Sequence, residues 1–291
     1  MRWKKARRSD NVVDQRGKGR RIDGKGLSLG AVAIIVVMGL LSGQDPLQII
    51  GTIAGQAIQQ GGIQVGGPSN EPAPPSNDTQ SEFVRAILGD TEDTWRALFQ
   101  QSGQRYKDPK LVLFNDSVRS ACGLADSAVG PFYCPGDQQV YLDLSFFKEM
   151  EQRFAATGEF AQAYVIAHEV GHHVQTLLGV SARVQAARQR GERVTGNNGL
   201  LVRQELQADC FAGVWAHHAQ QRHAWLEPGD LKDALNAAQA IGDDRLQKQA
   251  QGYVVPDSFT HGTSAQRERW FSQGYTYGDA SQCDTFAAQR L

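Results

Sequence analysis

The spacing of apolar residues divides the chain into segments of different period. Residues 27–43, LSLGAVAIIVVMGLLSG, carry no charge and show no polar face, a run about long enough to cross a bilayer as one helix. The stretch after it, DPLQIIGTIAGQAIQQ, is too polar and interrupted for a second span and suits a membrane interface or an oligomer contact. From 61 to 80 the apolar signal stops, and GGIQVGGPSNEPAPPSNDTQ reads as a flexible Gly/Pro-rich linker.

A folded domain is predicted from Ser81 onward. SEFVRAILGDTEDTWRALFQ has helical spacing with a break near Gly89-Asp90, where Asp90 or Thr91 would cap a second helix. KLVLF (110–114) reads as a strand, QVYLDL (139–144) alternates like a half-buried strand, and SFFKEMEQRF turns helical. Further helices are expected over about 155–178, 199–220 and 230–249. The fold class is therefore α+β, mostly helical with a small sheet, behind a single N-terminal transmembrane helix.

Charge changes this picture at the N-terminus. Residues 1–26 hold ten Lys/Arg against three Asp, while the rest of the chain holds twenty Lys/Arg against twenty-eight Asp/Glu. A basic segment leading straight into an apolar run points to membrane rather than nucleic acid. The expected organisation is a basic cytoplasmic tail (1–26), a transmembrane signal anchor (27–43), a flexible linker (44–80) and a globular domain (81–291). A cleaved signal peptide is the alternative, but only a poor LSG before Gln44 stands where an A-x-A site belongs. Lys/Arg-rich flanks stay in the cytoplasm, which would place everything after Gln44 on the other side.

The four cysteines fit that placement. Cys122, Cys134, Cys210 and Cys283 contain no C-x-x-C pair, so two disulfides are the expectation in an oxidising compartment. Cys122 and Cys134 flank a loop short enough to close locally, which leaves Cys210 for Cys283. Buried free thiols are the alternative.

The candidate chemistry begins in AYVIAHEVGHHVQTLLG (162–178). On a helix His168 and His172, at i and i+4, point the same way, opposite an apolar stripe of Ala163, Ile166, Ala167, Val170, Val174 and Leu177. H-E-x-x-H lets one helix offer two imidazoles to zinc and keeps Glu169 beside the metal as a general base. His173 falls outside that pair and reads as a packing residue. A catalytic zinc needs a third protein ligand. In NNGLLVRQELQADCFAGVWA, Glu205 and Asp209 sit on a helical face otherwise apolar or small, where unpaired carboxylates are costly. Glu205 is read as the third ligand and Asp209 as the acceptor for a ligand histidine's other ring nitrogen. His217, His218 and His223 are read as exposed residues near a helix C-terminus.

AHEVGHHVQ followed by ELQADCFAGVWA, behind MRWKKARRSDNVVDQRG and one apolar run, resembles the neutral zinc metallopeptidases of bacterial membranes, over essentially the whole chain. The resemblance implies a zincin-like domain with Zn2+ on His168, His172 and Glu205, and Glu169 as catalytic base. With the orientation set by the basic flank, the expectation is an inner-membrane protein acting on peptide or protein substrates on the periplasmic side. The E-x-x-x-D spacing of Glu205 and Asp209 is similar to glutamate-zincins. In SFTHGTSAQRERWF, His261 resembles the histidine that group uses near the oxyanion; a surface or capping histidine beside a structural Arg267 ion pair is the other reading. Tyr253 and Tyr141 are weaker candidates for that role, and QVYLDL is either a substrate-pairing edge or an ordinary strand. The function expected is zinc-dependent endopeptidase. The alternative is a non-catalytic zinc-containing envelope module, against which a carboxylate beside a three-ligand site argues.

Overall fold

The computed structural model describes residues 1–17, 78–154 and 158–291. Asp78 starts the first long helix, α1 (Thr79–Gln101), by accepting a hydrogen bond from the backbone N–H of Ser81, the usual work of an N-cap aspartate. Thr79 and Gln80, expected in the linker, already belong to its first turn. The expected break at Gly89-Asp90 does not occur. A Cβ at Gly89 would lie 3.1 Å from the carbonyl oxygen of Arg7 and 3.2 Å from the amide of Ser9, so the glycine lets another backbone cross the helix. Asp90 caps nothing. It is buried, takes the Trp215 indole N–H at 2.9 Å and pairs with Arg222 at 2.8 Å.

The backbone crossing at Gly89 is the chain's own N-terminal segment. Val12–Asp14 forms β1, parallel to β2 (Lys110–Phe114), and Trp3 is 3 % exposed, packed edge-on against Phe83 at 5.2 Å between ring centroids. Residues 1–17 are thus part of the folded body, not a tail apart from a domain that begins at Ser81. The physical reason is a charge match as well as apolar burial. Arg7 pairs with Glu92 and Asp93, Arg8 with Glu82, and Arg16 with Asp14 and Asp78. The expected anchor, 27–43, and the linker up to residue 77 lie outside the described residues. Among the described residues no helix is long and apolar enough to cross a membrane.

The main sheet runs β1-β2-β6-β5, with β6 (Gln139–Asp143) parallel to β2 and β5 (Phe132–Cys134) antiparallel to β6. β3 (Ser117–Ser120) and β4 (Gly123–Asp126) form a separate hairpin. Because β6 has neighbours on both sides, Val140, Tyr141 and Leu142 are all buried, and the alternation read as half-burial does not hold. QVYLDL is not an edge either; the edge on that side is β5.

Helices then follow: α2 (Ser145–Phe154), α3 (Glu159–Leu177), α4 (Val180–Gln189), α5 (Leu200–His223), α6 (Asp230–Ala240), α7 (Asp243–Gln251) and α8 (Ser264–Tyr277). The helix expected over 230–249 is two, divided at Gly242. α8 is not among the expected helices, because its turn-rich leader hides a start. Thr263 and Gln266 form a capping box, each side chain accepting from the other's backbone N–H, a signal that the T-x-x-Q spacing carries in the sequence. Both expected disulfides form, Cys122–Cys134 and Cys210–Cys283. α3, α5 and α8 meet at the centre, and a Cβ on Gly274 of α8 would fall only 1.9 Å from the Cys210 carbonyl. That contact of bare backbones brings α8 close enough to reach the residues of α3 and α5 described next.

Candidate metal centre

α3 is buried nearly all round, so His168 and Glu169 are 6 % and 8 % exposed in spite of their polarity. Its closest neighbour is α5. A Cβ at Gly171 would lie 3.0 Å from the Ala208 carbonyl and 3.1 Å from its Cα, so the absent side chain sets the distance between the helices. Across this contact α5 delivers Glu205. Its carboxylate oxygens lie 3.2 Å from Nε2 of His168 and 3.5 Å from Nε2 of His172.

The other ring nitrogens are already engaged. Nδ1 of His168 lies 2.8 Å from Asp209 Oδ1, and Nδ1 of His172 lies 2.9 Å from Gln175 Oε1. Since those oxygens accept, each Nδ1 carries the proton in the neutral ring and each Nε2 is left as a lone pair. Two imidazole lone pairs then face a carboxylate at hydrogen-bond distance, an arrangement that calls for positive charge between them. Their ligand atoms lie within 4.8 Å of one another, and among the described residues this is one group of three fit to hold a metal ion. Two nitrogens and one carboxylate oxygen suit zinc, with further positions left for solvent or substrate.

Supporting contacts reach outward from this core. Asp209 is fully buried and also takes Tyr164 Oη at 2.5 Å and Arg267 Nε at 2.8 Å. Arg267 is therefore the partner of Asp209, inside the protein rather than on its surface. Gln175 uses its amide to bond the Gln204 carbonyl at 2.7 Å, tying His172 to α5. Sequence reasoning singles out neither Tyr164 nor Gln175, although each stands one helical turn from a histidine of the motif. His173 is completely buried and faces away, with Nε2 donating to the Lys107 carbonyl at 2.6 Å and Nδ1 accepting from the Tyr133 hydroxyl at 3.1 Å.

The electrostatics follow from these contacts. Burial pushes the Glu169 carboxyl up, against the pull of the His172 and His168 imidazoles. Burial also pushes Glu205 up, but the two histidines outweigh it and hold that carboxyl well below its usual range. For Asp209, burial is outweighed by Arg267 and His168, and its pKa falls to about 2. Burial lowers His172, the Glu205 carboxylate raises it by more, and its pKa in the metal-free site reaches about 9.

A cavity of about 530 Å³ opens onto the three ligand candidates and Glu169. Its lining includes the segment from Val129 to Tyr133, which runs into strand β5, together with Ile241, Leu246 and His261. His261 sits in the turn before α8, its side chain 49 % exposed, with Nδ1 3.2 Å from Asp243. Asp243 is a partner the sequence does not announce. It opens α7 and accepts the backbone amides of Thr260, His261 and Gly262 at 2.7–3.0 Å, so one carboxylate shapes the whole turn; no local sequence signal links residues eighteen positions apart. Burial pulls the His261 pKa down and Asp243 pulls it up by more. Tyr141 bonds Asp137 and stacks on Phe132, and Tyr253 is exposed to solvent; neither lines the cavity. His217 and His218 are half-buried and bond the carbonyls of Tyr275 and Gly278, and His223 bonds Asp90, so they join α5 to α8 and α1 rather than simply facing water.

Comparison with known proteins agrees with the chemistry of this site. The "Putative neutral zinc metallopeptidase" family model matches residues 1–286. The chain is 49 % identical over 293 residues to "Uncharacterized protein YpfJ" of Escherichia coli (strain K12), covering 98 % of this chain and 99 % of that protein. It is 45 % identical over 221 residues to "Uncharacterized protein Rv2575" of Mycobacterium tuberculosis (strain ATCC 25618 / H37Rv), covering 72 % of this chain and 73 % of that one. No solved structure matches. With the match running from the N-terminal segment through the metal centre to α8 and beyond, this chain belongs to the neutral zinc metallopeptidase family.

Proposed function

We propose that the protein is a zincin-like, zinc-dependent endopeptidase that hydrolyses peptide bonds outside the cytoplasm, held at the bacterial inner membrane through the apolar run 27–43. One observation carries the catalytic reading: the Nε2 atoms of His168 and His172 converge on the Glu205 carboxylate in a cavity that also holds Glu169. A closed structural site would need no such neighbouring carboxylate and would use a fourth protein ligand. The extracytoplasmic reading is supported by the pairing of all four cysteines.

His168, His172 and Glu205 would hold the zinc, which supplies Lewis acidity toward a carbonyl oxygen and lowers the pKa of water. Glu169 takes the proton from the attacking water and returns it to the leaving amine. Its burial favours the protonated form, which makes it a carboxylate able to take up the proton of water. His261, held by Asp243 at 3.2 Å from its Nδ1, donates to the oxygen on which negative charge develops. An extended peptide would lie along the edge of β5, which among the described residues is paired on one side only, with its apolar side chains toward the cavity residues Phe132, Phe146, Ile241 and Leu246.

The test is a comparison of wild type with Glu169→Gln. Elemental analysis should find one zinc per chain in both. Cleavage of denatured casein, and of envelope proteins followed by proteomics, should fall by roughly a thousandfold or more in the variant, in line with loss of a general base together with its alignment of water. Equal cleavage by both proteins would end the assignment of Glu169, and absence of zinc that added zinc does not restore would end the reading as a whole.

A further inference from the structure

We infer that the N-terminal segment, residues 1–17, and the metal centre lie on the same side of any membrane, because together they form one folded body. Three different contacts hold the segment in place. The first is backbone pairing: Val12, Val13 and Asp14 are in parallel register with Leu111, Val112 and Leu113, so β1 completes the sheet whose other end lines the cavity. The second is apolar burial, with Trp3 and Val12 3 % and 6 % exposed inside the main core. The third is a buried acid. Glu92 is 1 % exposed, and it receives Arg7 Nη2 at 2.7 Å, Ser9 Oγ at 2.5 Å and Asn11 Nδ2 at 2.8 Å. Without the segment, Glu92 would keep, among the described residues, only the ion pair with Arg96 at 3.8 Å, and a buried carboxylate left so poorly paired is strongly destabilising.

This interface also explains the charge asymmetry of the sequence. A basic beginning on an acidic body resembles a lipid-facing tail, yet Arg7, Arg8 and Arg16 are spent on Glu92, Glu82 and Asp78 of the body. Part of the positive-inside signal is thus answered by the fold itself, which weakens it as a guide to orientation. The two ends of the intervening segment are adjacent as well. Arg16 bonds both Asp78 at 2.8 Å and Ser81 at 2.5 Å, so residues 17 and 78, which flank that segment, lie close together on the body. A single crossing at 27–43 would put the two halves of this interface on opposite faces of the bilayer. Whatever path residues 18–77 take, any crossing has to be matched by a return.

The experiment uses the full-length protein in its native membrane. All four native cysteines are paired, so a single introduced cysteine is the sole free thiol. Lys4→Cys reports on the segment and Tyr253→Cys on the body; Lys4 is exposed and Tyr253 is 62 % exposed. Lys5→Cys and Arg190→Cys, also exposed, form a second pair should either variant of the first fold poorly. Intact cells, or spheroplasts where an outer membrane is present, are treated with a membrane-impermeant maleimide, and a detergent-treated sample shows that every site can react. The expected result is that the two members of a pair behave alike. Labelling of both places the body outside the cytoplasm. Labelling of neither before detergent supports the inference equally, while overturning the extracytoplasmic part of the proposed function. Labelling of one member without the other, in either direction, overturns the inference.

Discussion

Asp209 Oδ1 stands 2.8 Å from Nδ1 of His168, and Asp209 Oδ2 stands 2.8 Å from Nε of Arg267. One fully buried carboxylate therefore both orients a candidate metal ligand and neutralises a buried guanidinium. Asp209→Asn should cost about 3–5 kcal/mol, because Arg267 is left without its counter-charge, and should weaken zinc binding roughly 10–100-fold. The double variant Asp209→Asn/Arg267→Met, which removes both charges, should recover part of the stability but none of the zinc affinity. Chemical denaturation with a zinc competition assay reads both; an Asp209→Asn protein with native stability and native affinity would refute the shared role. The folded-state pKa of about 2 lies below the ordinary carboxylate value of 3.8. Stability from this group is accordingly present above about pH 4 and is lost as the pH falls toward 2.

His172 gives the opposite sign. Its pKa in the metal-free site, about 9, lies above the ordinary 6.5, so its contribution to the metal-free fold is full below 6.5 and disappears as the pH rises through 9. Zinc has to displace that proton. Affinity should increase by about tenfold per pH unit between 7 and 9, with proton release on binding. Titrations in buffers of different ionisation enthalpy measure the protons released; a pH-independent affinity over that range would show that His172 is already neutral in the metal-free site, against a pKa raised by Glu205.

Gly171 tests the helix spacing that creates the centre. Gly171→Ala places a methyl group 3.0–3.3 Å from the backbone and side chain of Ala208, one turn from Glu205. The helices must part by a few tenths of an ångström, at a cost of about 1–3 kcal/mol. Zinc affinity should fall in this variant and stay native in a surface control, Arg190→Ala, whose side chain is exposed. Unchanged zinc affinity in Gly171→Ala would mean that Glu205 can follow the histidines without this contact.

The disulfides differ in what they restrain. Cys210–Cys283 closes a separation of 73 residues and Cys122–Cys134 one of 12, and loop-closure entropy assigns them about 4 and about 3 kcal/mol respectively. Cys210→Ser/Cys283→Ser should lower the thermal midpoint more. Cys122→Ser/Cys134→Ser should act mainly on peptide cleavage, since Cys134 belongs to β5 at the cavity wall. The reverse ranking would show that native packing, not chain closure, dominates these links.

Much of the centre is legible in the sequence because its parts are local. His168, Glu169 and His172 share one helix at a spacing that fixes their relative directions, and Glu205 with Asp209 repeats the logic on a second helix. KLVLF and SFFKEMEQRF are readable for the same reason, since strand period and helix period are properties of a few consecutive residues. The misreadings occur where distant segments meet. Gly89 looks like a helix break until the Arg7–Ser9 backbone lies against it, and Asp90 looks like a cap until Trp215 and Arg222 reach it.

What the sequence determined alone was the chemistry on offer: two imidazoles and the carboxylates of Glu169, Glu205 and Asp209, each on a predictable face, and four cysteines with one natural pairing. Tertiary structure decided what those groups face. It set Glu205 against both Nε2 atoms, brought Asp243 to the His261 turn, and made β5 rather than QVYLDL the open edge. It also turned a basic beginning into a strand and a core tryptophan. The physical reason is that periodicity encodes direction within an element, while ion pairs, burial and strand order depend on which elements pack together, and that is settled only when the whole chain has folded.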